Sequence, residues 1–160
     1  VQDACRVGAL DLAVVIPAPA EGNHQIIGVQ PVFAVLPESH HLATAAQLSL
    51  DALEGEVFIA NPTTYNLREL TETWCRDAGY EPDITIEVTE FATIRELVVR
   101  NLGIALLPHD DRIPPGIVEV PLEGDHHTRS IALAWTTTTQ APPTRRLHKY
   151  LQDRYVKDPS

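Results

Sequence analysis

The sequence contains no methionine, only two cysteines, few aromatic residues and far fewer basic than acidic side chains, 12 Lys and Arg against 22 Asp and Glu. Each shortage narrows the reading. A translated chain starts at Met, so one that opens Val1-Gln2-Asp3 and contains none is expected to be cut from something longer. Cys5 and Cys75 lie far apart and match no metal-binding or redox spacing, which favours a reducing compartment over a disulfide scaffold. A formal charge of -10 leaves no basic footprint for a phosphate backbone, because sequence-independent nucleic-acid affinity comes from clustered Lys and Arg. These residues alone are not expected to bind DNA. No run approaches the roughly 20 apolar residues of a membrane span, and the most apolar N-terminal stretch, Leu10 to Ile16, has no basic region before it. Neither a membrane protein nor a secretory precursor is read from it.

What is present is the composition of a globular domain, 44% apolar and 21% charged, in a chain long enough to bury roughly two thirds of its unfolded surface. Apolar spacing over Val1 to Val7, stopped by Gly8, predicts the end of a helix. Leu10 to Ile16, closed by Pro17 and Pro19, reads as a strand covered on both faces. Ile26 to Val29 and Pro31 to Leu36 are two further strands, and Ser49 caps a short turn of helix through Leu53 ahead of the strand Val57 to Ala60. Asn66 with Glu69 fits a capping box, and Leu67, Leu70, Trp74 and Ala78 mark one face of a helix ending at Gly79. Ile84 to Val88 alternates as a strand. Ile94, Leu97 and Val98 form a second helical stripe, which Gly103 ends before Ile104 to Pro108. This strand, helix, strand, helix, strand order predicts right-handed crossovers in a parallel sheet. Strands at Ile117 to Val120 and Ser130 to Trp135 follow. The four threonines Thr136 to Thr139 are placed as a crossing segment, and a final helix over Arg146 to Tyr155 is expected to bury Leu147, Tyr150, Leu151 and Tyr155. Its basic residues, Arg145, Arg146, Lys149, Arg154 and Lys157, read as a solvated helix face, with contact to a partner as the alternative.

Several segments occur in an informative order. Gly8-Ala9-Leu10-Asp11-Leu12-Ala13-Val14 enters a strand, Val35-Leu36-Pro37-Glu38-Ser39-His40-His41-Leu42-Ala43 leaves one, and Leu48-Ser49-Leu50-Asp51-Ala52-Leu53 forms a step. Ala78-Gly79-Tyr80-Glu81-Pro82 is then followed by Leu97-Val98-Val99-Arg100-Asn101-Leu102-Gly103-Ile104-Ala105-Leu106-Leu107-Pro108. Together, over nearly the whole chain, these resemble the effector-binding domain of LysR-type transcriptional regulators. The departures are His41 where that family usually has Pro, and Asn101 where it has a small residue.

The resemblance implies an α/β, two-subdomain, type 2 periplasmic-binding-protein-like fold with central mixed sheets flanked by helices. Residues 1–30 and 136–160 would form an incomplete first subdomain and residues 31–135 the second, with the DNA-binding helix-turn-helix absent from this chain. An incomplete subdomain should leave strand edges and apolar surface uncovered. The implied function is ligand sensing for a bacterial, cytoplasmic, dimeric or tetrameric transcription factor. A small-molecule effector is the expected partner, DNA is met only through the absent segment, and neither a membrane nor a cofactor is involved. A solute-binding protein of a transporter shares the fold and is the alternative. An enzyme is disfavoured, since no acid and base pair up in the sequence and no G-x-S-x-G elbow is present.

Ligands of open α/β sheets settle beyond the carboxyl ends of strands, where helix starts present backbone N–H groups. Asn61, Pro62, Thr63 and Thr64 follow one such strand; Thr89, Glu90 and Phe91 follow another. Ile16, Pro17 and Ala18 end the first-subdomain strand and would face them across a cleft, as the resemblance also implies. The competing reading of these residues is helix capping and turn chemistry. Glu90 leaves the sign of the ligand's charge open. The histidines, including the pairs His40-His41 and His126-His127, show no i, i+4 spacing on a helix, so no metal site is assigned.

Overall fold

Pro31 divides two apolar runs that the sequence reads as separate strands, yet the computed structural model carries a single 15-residue strand, β2 (Asn23–Pro37), straight through it. Proline is tolerated because Pro31 is exposed and the antiparallel ladder to the strand Ala105–Pro108 starts only at Val32. The structure describes residues 11–136 and 142–155; the helix expected over Val1 to Val7, Cys5, and Thr137 to Thr139 fall outside them. The described elements are β1 (Leu12–Val15), β2, a 3₁₀ turn (Leu50–Leu53), β3 (Val57–Ala60), α1 (Asn66–Asp77), β4 (Asp83–Glu87), α2 (Phe91–Val99), β5 (Ala105–Pro108), β6 (Ile117–Pro121), β7 (Thr128–Trp135) and α3 (Pro142–Tyr155). No helix among them is long and apolar enough to cross a membrane.

The chain divides into two units, residues 1–30 with 129–160, and residues 31–128. The return to the first unit falls at Thr128 rather than beyond Trp135, because β7 pairs antiparallel with β1, from Leu12 against Trp135 to Val15 against Ala132. In that unit Val15, Ala132 and Ala134 form a small core against which Ala13 and Ala18 pack. Two expectations fail here. Val14 is 55% exposed, so β1 is not covered on both faces. On α3, Leu147 and Tyr150 face solvent, while the partly buried face is Thr144, His148 and Leu151, spaced i, i+4, i+7. His148 packs tilted against Trp135 with ring centroids 4.4 Å apart and Thr144 reaches Asp11 at 3.3 Å, so ring contact and a hydroxyl fix the helix's rotation.

The second unit holds the main core. β2 pairs antiparallel with β5 and with β6, while β3 and β4 pair in parallel and Phe58 bridges in parallel to Ile104. The parallel crossover reading therefore holds for β3, α1 and β4, but β5 runs antiparallel to its long neighbour. Phe58, Ile59, Leu53, Ile94, Val98 and Leu107 are all at most 1% exposed. Each buried side chain of this kind contributes roughly 1.5–3 kcal/mol. α1 ends as the sequence predicts: the Gly79 and Tyr80 amides donate to the Arg76 and Cys75 carbonyls, and Gly79 takes the left-handed φ of 100°. Gly103 is needed for a different reason than helix termination, since a Cβ there would lie 2.6 Å from the Val57 carbonyl oxygen.

Arg95, unforeseen on the buried stripe of α2, is 2% exposed. Its guanidinium donates to the Pro108 carbonyl at 2.6 Å and to the buried Glu119 carboxylate at 3.0 Å, and Asp110 lies 3.6 Å away. His109 meets the other oxygen of Glu119 at 2.7 Å. Removing one partner of a buried pair strands the other charge. Glu119→Ala is accordingly expected to cost about 3–5 kcal/mol in urea unfolding, and a loss below about 1 kcal/mol, the range of an exposed pair, would contradict it.

His127 is 7% exposed and packs edge-on against Trp74 at 5.3 Å. Burial, together with neighbouring His126, pushes its pKa down, with the Glu123 backbone carbonyl opposing. The unfolded chain therefore takes up a proton near pH 6.5 that the folded chain resists. Stability is full above that pH and declines as the pH falls toward the depressed folded value. Urea midpoints between pH 5 and 8 should show this decline in the wild type and a shallower one in His127→Phe; identical slopes would refute it.

Candidate functional site

One side chain sets where β3 and β4 end. Asn61, 2% exposed, follows β3 directly, and its amide nitrogen donates to the Val88 carbonyl at 2.9 Å and the Thr89 carbonyl at 3.1 Å. The Val88 amide returns to Ala60 O at 2.9 Å, so the backbone pairing passes into a side-chain clamp at the strand exits. With the amide nitrogen thus engaged, Asn61 Oδ1 is buried without a hydrogen-bond partner. Such an acceptor carries a desolvation cost that a donor would relieve.

Beyond Asn61, Pro62 closes a turn by accepting from the Tyr65 amide at 2.9 Å, and Thr63 and Thr64 are exposed on it. The turn delivers Tyr65 in an extended conformation, so Tyr65 and not Asn66 is the N-cap, and Asn66 is already helical. The expected capping box of Asn66 and Glu69 does not form. Likewise Ser49 precedes its 3₁₀ turn without capping it, its hydroxyl donating instead to Asp51. At the second exit Thr89 and Glu90 are exposed, and Glu90 is the N-cap of α2 with no side-chain cap bond. Phe91, partly buried, packs on the core. Neither helix start is closed by its own cap side chain, while Thr63 and Thr64 occupy the turn that Pro62 and Tyr65 close.

The electrostatics come from Arg68 on α1, which sequence reasoning passed over although Glu72 stands at i+4. Its guanidinium donates to Asn61 O at 3.1 Å, to Glu87 at 2.6 Å and to Glu72 at 2.6 Å. Burial works against its charge, but the two carboxylates outweigh burial and hold its pKa above the ordinary value. Arg68 thus braces the exits with its charge already matched, and Glu90 adds an exposed negative one.

In the first unit, Ile16 follows β1, is joined to Pro17 by a cis peptide bond, and is 39% exposed. The Ala18 amide donates to the Ser130 hydroxyl at 3.0 Å.

Reactive side chains also occur in two other places. Cys75 is buried, with its thiol on the Tyr80 hydroxyl at 3.4 Å, and burial pushes its pKa up, the opposite of nucleophile activation. His40, His41 and Glu56 bring three metal-type donors within 4.8 Å of one another, a grouping their spacing did not announce. His40 Nδ1, however, accepts the Leu42 amide at 3.2 Å, which leaves the ring proton on Nε2, aimed at Glu56 at 3.2 Å. A metal at Nε2 would want that proton on Nδ1.

A family model described as the LysR substrate binding domain matches residues 1–156. The transcriptional dual regulator GltC of Bacillus subtilis (strain 168) is 26% identical over 148 residues, covering 89% of this chain and 49% of that protein. An uncharacterized HTH-type transcriptional regulator of the same organism, YwbI, is 32% identical over 142 residues, covering 84% and 46%. The chain spans about half the length of these curated relatives. Among solved structures, the regulatory domain of Synechocystis PCC6803 CcmR in complex with 2-PG matches with a TM-score of 0.83 at 18% identity, over 99% of this chain and 79% of that one. The effector binding domain of QuiR in complex with shikimate matches with a TM-score of 0.85 at 20% identity, over 97% and 76%. At such identities the likeness shows the fold, and it is the fold of regulatory domains with the periplasmic-binding-protein-like architecture.

The clamp has a direct test. Asn61→Ala leaves the Val88 and Thr89 carbonyls without their donor and should cost about 1–3 kcal/mol in chemical unfolding. Asn61→Asp, which sets a carboxylate against both carbonyls, should cost more; an Asp variant as stable as wild type would overturn the assignment.

Proposed function

The chain belongs to the LysR substrate-binding domain family of transcriptional regulators, and from that premise we propose that it is the sensory module of such a regulator, binding a small polar metabolite at the exits of β3 and β4. The observation that carries this reading is the buried, unpartnered Oδ1 of Asn61 beside two helix starts that no cap side chain closes. Asn61, Pro62, Thr63, Thr64, Thr89, Glu90 and Phe91 are the proposed contacts of the second unit, and Ile16, Pro17 and Ala18 those of the first. Asn61 offers an acceptor, the threonines offer hydroxyls and the helix starts offer amides. A ligand carrying both a donor and an acceptor group satisfies this mixture.

The metabolite shifts the module between two states only by its difference in affinity for them. In the longer protein that shift alters how a DNA-binding segment sits on its operator, within a homo-oligomer in the cytoplasm. Binding without turnover is proposed; the raised pKa of Cys75 supports this for the thiol.

A thermal-shift screen against small organic acids, amino acids and aromatic metabolites tests it. A ligand at about a hundred times its Kd adds about 2.7 kcal/mol to native stability, well within detection. The expected hit raises Tm for the wild type and loses its effect in Thr63→Val/Thr64→Val. A shift that survives this double variant, or chemical conversion of the hit, would contradict the proposal.

A further inference from the structure

At the far end of α1 from Asn66, about 18 Å along a helix of this length, lies a cavity of about 480 Å³ within the second unit. Its volume is that of a small-molecule pocket. The Leu50–Leu53 turn contributes Asp51, the C-terminal end of α1 contributes Trp74 and Asp77, and the loop from β6 to β7 contributes Glu123, His126 and His127. Among the described residues three carboxylates line it, and no Lys or Arg does. The C-terminus of α1 adds the partial negative charge of its terminal carbonyls.

The acidic lining alone would be a solvated rim, but His127 makes it more than that. This ring is over nine-tenths buried in the cavity wall, and its Nδ1 is buried without a hydrogen-bond partner. Burial and neighbouring His126 disfavour the charged form of this ring. A neutral ring protonated at Nε2 presents at Nδ1 a lone pair for an N–H donor. Trp74, edge-on to the same ring, supplies an aromatic surface suited to a cation. Acceptors, an aromatic ring and negative charge converge, with no positive side chain to match them.

We propose that this cavity is a second small-molecule site, separate from the β3 and β4 exits, that takes a linear organic amine with two or more ammonium groups. The ammonium charges pair with Asp51, Asp77 and Glu123, and one N–H donates to His127 Nδ1. Ser49 holds Asp51 in place through the hydrogen bond from its hydroxyl.

The test is calorimetric titration of the whole chain with spermidine at about 0.15 M salt, where the Debye length of about 8 Å screens diffuse attraction to an acidic protein. One saturable site is expected. The variant Asp51→Asn/Asp77→Asn/Glu123→Gln, all exposed and outside the core, should weaken it about tenfold or more. Glu69→Gln/Glu96→Gln/Asp111→Asn removes the same charge elsewhere and should leave it unchanged. Fully N-methylated quaternary spermidine, which has no N–H for Nδ1, should bind several-fold more weakly. The proposal is overturned by the absence of saturable binding below about 1 mM, by equal weakening in both triple variants, or by equal affinity for the quaternary compound.

Discussion

The arrangement of the second unit depends on a buried amide at the point where a backbone ladder runs out. β3 and β4 pair in parallel as far as Ala60 and Glu87, and past that point Asn61 holds the two chains together through Val88 and Thr89. Its geometry fixes both turns that follow, and hence where α1 and α2 begin. Arg68 reaches back from α1 to the carbonyl of the same Asn61. At the other end of β3 the Ile104 amide donates to the Val57 carbonyl at 2.8 Å, and the Gly103 backbone approaches Val57 so closely that no side chain fits between them. A strand fixed at both ends presents its exit residues in one place, as a recognition site must.

The apolar periodicity made the elements legible. Leu67, Trp74 and the Gly79 stop marked α1, and Ile94 with Val98 marked α2, because a buried stripe and a left-handed terminator are written directly in residue type. The second unit's core could be named from such patterns. What could not be read were properties decided by distant partners. Pro31 looked like a strand end because its missing N–H matters only where a ladder needs it. Leu147 and Tyr150 looked buried on α3 because apolar residues usually are, whereas Trp135 and Asp11 engage the face carrying His148 and Thr144. Arg95, which no apolar pattern marks, is buried because Glu119 and the Pro108 carbonyl close on it from β6 and β5.

The same division applies to the candidate site. Order along the chain placed Asn61, Thr63, Thr64, Thr89 and Glu90 after strands, and they stand there. Their roles were not in the sequence: the same letters serve caps and turns in most α/β proteins, and that no cap bond forms at Tyr65 or Glu90 is decided by the geometry of the turns. The acidic balance also takes on a location. Around the strand exits negative charge is tempered by Arg68, whereas at the opposite end of α1 three carboxylates line a cavity to which no described Lys or Arg contributes. The helix thus carries its positive pole toward a polar, mixed site and its negative pole toward an acidic one.

The central claim, that the exits of β3 and β4 are where this module meets its metabolite, is tested most directly by amide hydrogen exchange with and without a ligand that stabilises the chain. The account predicts added protection concentrated at the amides of residues 61–68 and 89–94, the two helix starts and the clamp between them. Protection spread evenly over the core, or confined to residues away from both turns, would contradict it.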